Sequence, residues 1–361
     1  MKKSTLSATI LALLTTSSAF AAHTFTNDAG DSLTLDGRFD LRYQDKGEEH
    51  NGEWNSGSSR FGLKGQMNLD NDWKGFGHAE WGYNSGANGD NIYDRLLYAG
   101  VEHDKYGKIA VGTKQWSTFY DVAWYTDMGR VFGTRGSGVY NLSDWGIASG
   151  TGRAENSITY RNSLNEKVNY GFTYQTTREE VALAGNATAT LKNGMSASIT
   201  YKPVAGVSLG AAYQQNDITD LDGNVTGVEN GDSMRIMLLG ANYSDGSFYA
   251  GATFHVGENW EAVKQGGTDV LFDTIGGEFY TYYHLENGLR PTLNYNYLSD
   301  RNNETNGYER NLLIPGLEYH FLKDKFLVWT EYQVDLGKDK YENNKYENHD
   351  DQFAAGLRYY F

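Results

Sequence analysis

The sequence predicts an all-β fold: a transmembrane, antiparallel β-barrel of sixteen strands. Three observations carry that prediction. Apolar and polar residues alternate through most of the chain, so each segment has one greasy and one wet face. The segments run about 10–12 residues, the length a tilted strand needs to cross a bilayer. The connections between them are alternately short and long, as expected for a barrel whose two ends face different compartments.

The chain opens with Lys2 and Lys3, the apolar run Leu6–Leu14, and small residues at Ala19 and Ala21. This pattern predicts a secretory signal peptide over residues 1–21, leaving one barrel domain over residues 22–361. The apolar run is too short for a membrane anchor. No later stretch is apolar enough for a transmembrane helix. Tyrosine (27) and glycine (43) are abundant, prolines number 3 and cysteine is absent, so neither a disulfide nor thiolate chemistry is available.

In "LTLDGRFDLRY" one face carries Leu33, Leu35, Gly37, Phe39, Leu41 and Tyr43, and the other carries Thr34, Asp36, Arg38, Asp40 and Arg42. "SRFGLKGQMNL" sets Phe61, Leu63, Gly65, Met67 and Leu69 against Arg60, Lys64 and Gln66. "FAAGLRYYF" gathers Phe353, Ala355, Leu357, Tyr359 and Phe361 on one side. Strands start near residues 33, 57, 73, 92, 106, 155, 168, 193, 206, 233, 247, 270, 289, 310, 325 and 351. The stretch 181–191, "VALAGNATATL", reads as loop.

A soluble sandwich would also alternate. The strand lengths and the Tyr, Trp and Phe crowded at strand ends favour a membrane barrel. "DND" before Trp73, residues 164–167 and residues 203–206 are tight turns. Residues 46–57, 176–192, 215–232, 257–269, 299–309 and 337–350 are long, polar connections. Sixteen strands enclose an aqueous channel, and closure leaves no unpaired edge in the bilayer.

The formal net charge of −15 argues against nucleic acid as a partner, since its binding needs clustered Lys and Arg. The eight histidines show no metal-ligand spacing, and no G-x-S-x-G segment occurs, so no metal, no cofactor and no catalytic residue is expected. "DLDGNVTGVE" (220–229) lacks the glycine and glutamate placement of a calcium loop.

Several segments resemble the trimeric general diffusion porins of Gram-negative outer membranes. These are "DGRFDLRY", "SRFGLKG", "DRLLYAGVEHDKYGKIAVG", "YDVAWYTDM", "ENSITYRNS", "NGLRPTLNYNY" and the terminal phenylalanine. The resemblance covers the chain after the signal. It implies an outer-membrane homotrimer that passes small hydrophilic solutes and ions by passive diffusion. It also implies contact with outer-membrane lipid and with lipopolysaccharide through divalent cations, and makes Lys114 a candidate contact to the adjacent subunit. The long connection 116–154 then matches the loop that folds into the barrel and narrows it. Irregular backbone at membrane depth is tolerated only where it lines a water-filled cavity.

By the same resemblance, a basic ladder on the wall corresponds to Arg38, Arg60, Arg95 and Arg153, with Arg42 nearer the outer rim. Glu80 corresponds to a lumen carboxylate and Asp127 to the first acid of the loop. The loop departs from the family where a Pro-Glu pair usually precedes Phe-Gly: here Arg130 and Val131 precede Phe132 and Gly133, and Arg135 follows at a usually acidic position. The loop has therefore lost a carboxylate and gained two cations.

One unit charge ~7 Å away across water contributes ~0.6 kcal/mol. Several arginines around a constriction would tilt the pore toward anions, against an acidic outer mouth. The opposing expectation is that Arg130 or Arg135 turns to the wall and pairs with Asp121, Asp127 or Asp144. Trp116, Trp124 and Trp145 flank or lie within the loop. They either pack it against the wall or stack on sugar rings in an oligosaccharide-selective channel.

Overall fold

The computed structural model describes residues 22–47, 52–85, 91–165, 167–321 and 325–361. The expected signal peptide, 1–21, and residues 48–51 of the expected first long loop lie outside them. In chain order the wall strands are β1 (Ser32–Asp45), β2 (Arg60–Asn68), β3 (Lys74–Asn84), β4 (Asn91–His103), β5 (Gly107–Trp116), β6 (Arg153–Leu164), β7 (Val168–Gln175) and β8 (Thr188–Tyr201). They continue as β9 (Val207–Asp222), β10 (Ser233–Ser244), β11 (Phe248–Gln265), β12 (Thr268–Tyr283), β13 (Leu289–Asp300), β14 (Glu309–Phe321), β15 (Phe326–Asp335) and β16 (Gln352–Tyr360). Each pairs antiparallel with the next, and β16 returns to β1 with Arg38 opposite Tyr360 and Asp45 opposite Phe353. The result is a closed sixteen-stranded barrel.

The seam is shared by residues Ala22–Thr26 and the last strand. Residues Ala22–Thr26 pair with the lower part of β1, from Ala22 opposite Asp36 to Thr26 opposite Ser32. The upper part of β1 pairs with β16. At the junction, Gly37 N–H donates to Phe361 O at 2.9 Å and Phe361 N–H donates to Gly37 O at 3.0 Å. One strand position is thus filled jointly by Ala22–Thr26 and the C-terminal strand, and the edge of β1 has no gap.

Alternation places Phe39, Val111, Phe172, Met195 and Met237 on the outer surface, each more than half exposed. A belt of this kind belongs in lipid rather than water. Aromatic contacts mark its lower rim: Trp73 with Tyr106 at 6.0 Å, Tyr319 with Phe321 at 4.5 Å, and Phe39 with Phe361 at 5.2 Å. Tyr and Trp suit this position because one end of the ring is apolar and the other polar.

Two readings of the sequence need correction. The stretch 181–191 is not all loop. Arg178–Ala182 forms a short strand against β8, which itself starts at Thr188. Its alternating apolar residues Val181, Leu183, Ala189 and Leu191 are buried, because they pack against the internal loop and not against lipid. The connections 215–232 and 257–269 are also largely strand. β9 runs to Asp222, and β11 and β12 form a hairpin closed only at Gly266–Gly267. Residues 337–350 include a further small hairpin, Lys340–Glu342 with Lys345–Glu347.

Candidate functional site

Between β5 and β6, residues 117–152 contain no strand and run inside the barrel. The first turn is a four-residue helix, α1 (Tyr120–Ala123). Phe119, Val122 and Ala123 are fully buried and join Ala212, Ile236, Leu238 and Trp260 in one apolar cluster. Close approach is possible because the wall offers glycine there. A Cβ on Gly251 would sit 2.1 Å from the Tyr125 carbonyl oxygen, and one on Gly240 would sit 2.8 Å from Val122. Tyr120 and Trp124, four residues apart, share the other face of the turn.

The loop tip is held by carboxylates of the far wall. The N–H groups of Arg130, Val131 and Phe132 all donate to the Glu331 carboxylate, at 2.6, 2.9 and 3.3 Å. The Arg130 guanidinium forms a two-pronged pair with Glu318, at 2.5 and 2.8 Å. Glu318 also pairs with Arg290 and accepts from His320 Nε2 at 2.7 Å. Phe132 is buried among Leu312, Ile314, Leu327, Trp329 and Ala354, with Val131 packed beside it. Further on, Arg135 pairs with Glu261 at 3.3 Å and lies 5.4 Å from the Trp145 ring centre.

The loop arginines therefore do not stand free in the lumen, because wall glutamates neutralise them. Nor are their partners the nearby aspartates. Asp121 pairs with Arg161 at 3.0 Å, and Asp144 accepts from the Ala148 N–H at 2.7 Å. Asp127 does not face the arginine ladder either. Its Oδ2 accepts from the hydroxyls of Tyr120 and Tyr140, both at 2.5 Å. Burial pushes the Asp127 carboxyl above the ordinary carboxylate range, and the two tyrosine hydrogen bonds only partly offset it.

The wall ladder is continuous. Glu80 sits between Arg60 at 3.3 Å and Arg95 at 2.7 Å. Asp40 holds Arg358 at 2.8 Å and Arg42 at 3.6 Å. Arg38 donates through Nε to Ser58 O at 3.0 Å. Arg153 lies opposite Trp116 in the β5–β6 register, within electrostatic reach of Arg95, Glu80 and Tyr140. Among the described residues it has no carboxylate within 4 Å. His78 lies below, its Nδ1 3.0 Å from the Tyr98 hydroxyl.

Trp116 stacks on Tyr120 at 4.1 Å, and Trp124 lies 6.1 Å beyond. Trp145 lies 6.4 Å from Tyr140. Trp124 is 53% exposed and Trp145 54% exposed, so neither is simply packing.

The sequence reading did not find Arg358, Glu261, Glu318, Glu331, Tyr120 or Tyr140. A signal existed for the far wall. β14 and β15 carry apolar residues on both faces: Leu312, Ile314, Leu327 and Trp329 are buried, while Leu317, Val328 and Tyr332 are exposed. A strand that is greasy on both sides must meet a second apolar surface inside the barrel.

The sequence profile of the Gram-negative porin family matches residues 29–361. The chain is 28% identical to outer membrane porin F of Salmonella typhi, with both chains covered in full. Among solved structures, Salmonella typhi OmpF in complex with daunomycin superposes with a TM-score of 0.76 at 23% identity, covering 94% of this chain and 100% of that one. OmpT of Vibrio cholerae in its trimer form superposes with a TM-score of 0.64 at 18% identity, covering 92% and 99%. The chain belongs to the Gram-negative porin family and forms an outer-membrane barrel through which small hydrophilic solutes diffuse passively.

Proposed function

We propose that the pore favours anions, and that the preference resides in the wall and not in the loop. The balance of charge around the constriction supports this reading. Among the described residues, Arg38, Arg42, Arg60, Arg95, Arg153 and Arg358 share ion pairs only with Asp40 and Glu80, with Glu331 as a further carboxylate in electrostatic reach of Arg42, while the loop's own arginines and Asp127 are tied up elsewhere. Rings of arginine set the sign of selectivity in wide pores. The functional unit is a homotrimer whose residues 1–21 are removed on export. It carries out no catalysis, and its outer loops bridge to lipopolysaccharide through divalent cations. The greasy outward faces of β1–β5 suit a neighbouring subunit, and Lys114 reaches the Asp94 carbonyl at 3.4 Å on that side.

The test is the zero-current potential of the reconstituted channel in a potassium chloride gradient. Chloride preference is expected, and Arg60→Gln or Arg153→Gln should reduce it. A clear potassium preference in the unmodified channel would overturn the reading. An oligosaccharide-selective channel is the second reading, favoured by the exposed Trp124 and Trp145.

A further inference from the structure

We propose that the constriction is an affinity site for acidic oligosaccharides, chains of uronic acids whose ring faces lie on the loop aromatics while their carboxylates meet the wall arginines. This deepens the channel reading above and rests on it.

The aromatic half consists of two runs joined through one carboxylate. Trp116, Tyr120 and Trp124 form one run, and Tyr140 and Trp145 form a second. Asp127 joins them by accepting from Tyr120 and Tyr140. The carboxylate is spent on this junction, so the loop presents rings where an acid would repel an anionic ligand. Rings of this size offer broad apolar area with a polar edge, which suits the C–H-rich face of a pyranose.

The basic half is adjacent. Arg153 lies opposite Trp116 in the β5–β6 ladder and within electrostatic reach of Tyr140, and a Cβ on the neighbouring Gly152 would sit 3.6 Å from the Tyr140 ring and 3.7 Å from the Trp145 carbonyl oxygen. From Arg153 the ladder continues through Arg95 and Arg60. Arginine is the side chain that matches a carboxylate with two parallel hydrogen bonds. Small inorganic anions would need the arginines but not the rings. Neutral sugars would need the rings but not the arginines.

Trp145 supplies the most specific sign. It is half exposed, yet its backbone is held at φ 62°, a left-handed conformation that a bulky residue adopts at a cost. The turn around it fixes that conformation. Gly146 N–H donates to Asn141 O at 2.9 Å, and the Asn141 side chain is itself bonded to Trp260 O and Ser149. The ordered turn leaves Trp145 half exposed, with the Arg135 guanidinium 5.4 Å from the ring centre and the rest of the ring open to contact.

The experiment is single-channel recording of the full protein in a planar bilayer, with tri-galacturonate, maltotriose or benzoate added to one side. Tri-galacturonate should block the current saturably, half-maximally at a concentration at least about tenfold below that for maltotriose. Trp145→Ala should weaken the block at least about tenfold, and Trp145→Tyr, which keeps a ring, should retain most of it. Arg153→Gln should weaken the tri-galacturonate block and spare the maltotriose block. Equal block by maltotriose would overturn the proposal, as would block by benzoate at the same concentrations. So would a channel that conducts normally without any block. Loss of all ion conductance would instead sink the channel reading, and this proposal with it.

Discussion

Glu331 accepts three consecutive backbone N–H groups at the tip of the internal loop. Charge-assisted bonds of this kind are roughly twice as strong as neutral ones. Glu331→Gln keeps one acceptor oxygen and loses the charge, so the tip should loosen and open-channel current noise should rise. Phe132→Ala removes the apolar half of the same anchor. Such a truncation in a packed site costs about 3–5 kcal/mol, here charged to loop docking. Single-channel conductance should increase, and an unchanged value would mean that Phe132 is not what holds the tip. Asp127 gives a pH dependence. Its carboxyl is raised when the loop is packed, chiefly by burial. The packed loop should therefore gain stability as pH falls through that raised value, with the gain complete below the ordinary carboxylate range. Asp127→Asn should flatten that part of the profile, read as the difference in tryptophan fluorescence melting between variant and parent. Asp144 is raised in the same direction by burial and leaves a residual slope in both.

At the scale of elements, the loop and the far wall act as one unit. Arg130→Glu places a carboxylate beside Glu318 and Glu331, and should release the tip and destabilise the current. Adding Glu318→Arg should restore part of it, because the pair is remade with reversed polarity; the rescue stays partial because Arg290 and His320 lose Glu318 as their partner. Independent, additive effects would show that the pair is not coupled. This pairing was not legible in the sequence, since Arg130 and Glu318 are 188 residues apart and nothing local links them. The strands were legible because lipid enforces alternation on every one of them. The strand expected near 289 begins at Leu289, and that expected near 325 begins at Phe326. The largest slip came at Thr188, expected near 193, where the apolar residues turn inward toward the loop. Arg38 and Arg60 could be read from the polar face of their strands, and Arg95 from the family resemblance. The fate of Arg130, Arg135 and Asp127 could not, because it depends on which wall the loop reaches.

For the whole molecule, continuity of the wall depends on the short segment Ala22–Thr26 that completes the seam. Removing Ala22–Thr26 strips the partner from the lower half of β1 and leaves backbone groups unpaired beside lipid. The shortened barrel should melt at a lower temperature in detergent, read from the loss of its folded electrophoretic mobility. An unchanged transition would show that the segment is dispensable. The seam also has a consequence in time. Asp40 and Arg358, bonded across it, lie 318 residues apart, so this contact is among the last the growing chain can make. Bringing such distant partners together carries a chain-entropy cost that no local hairpin offsets in advance. Until the final strand arrives, the partly built wall has two open edges and an apolar outer surface, both prone to aggregate. The polypeptide must therefore be delivered in full, and kept apart from its copies, before the ring can be zipped shut.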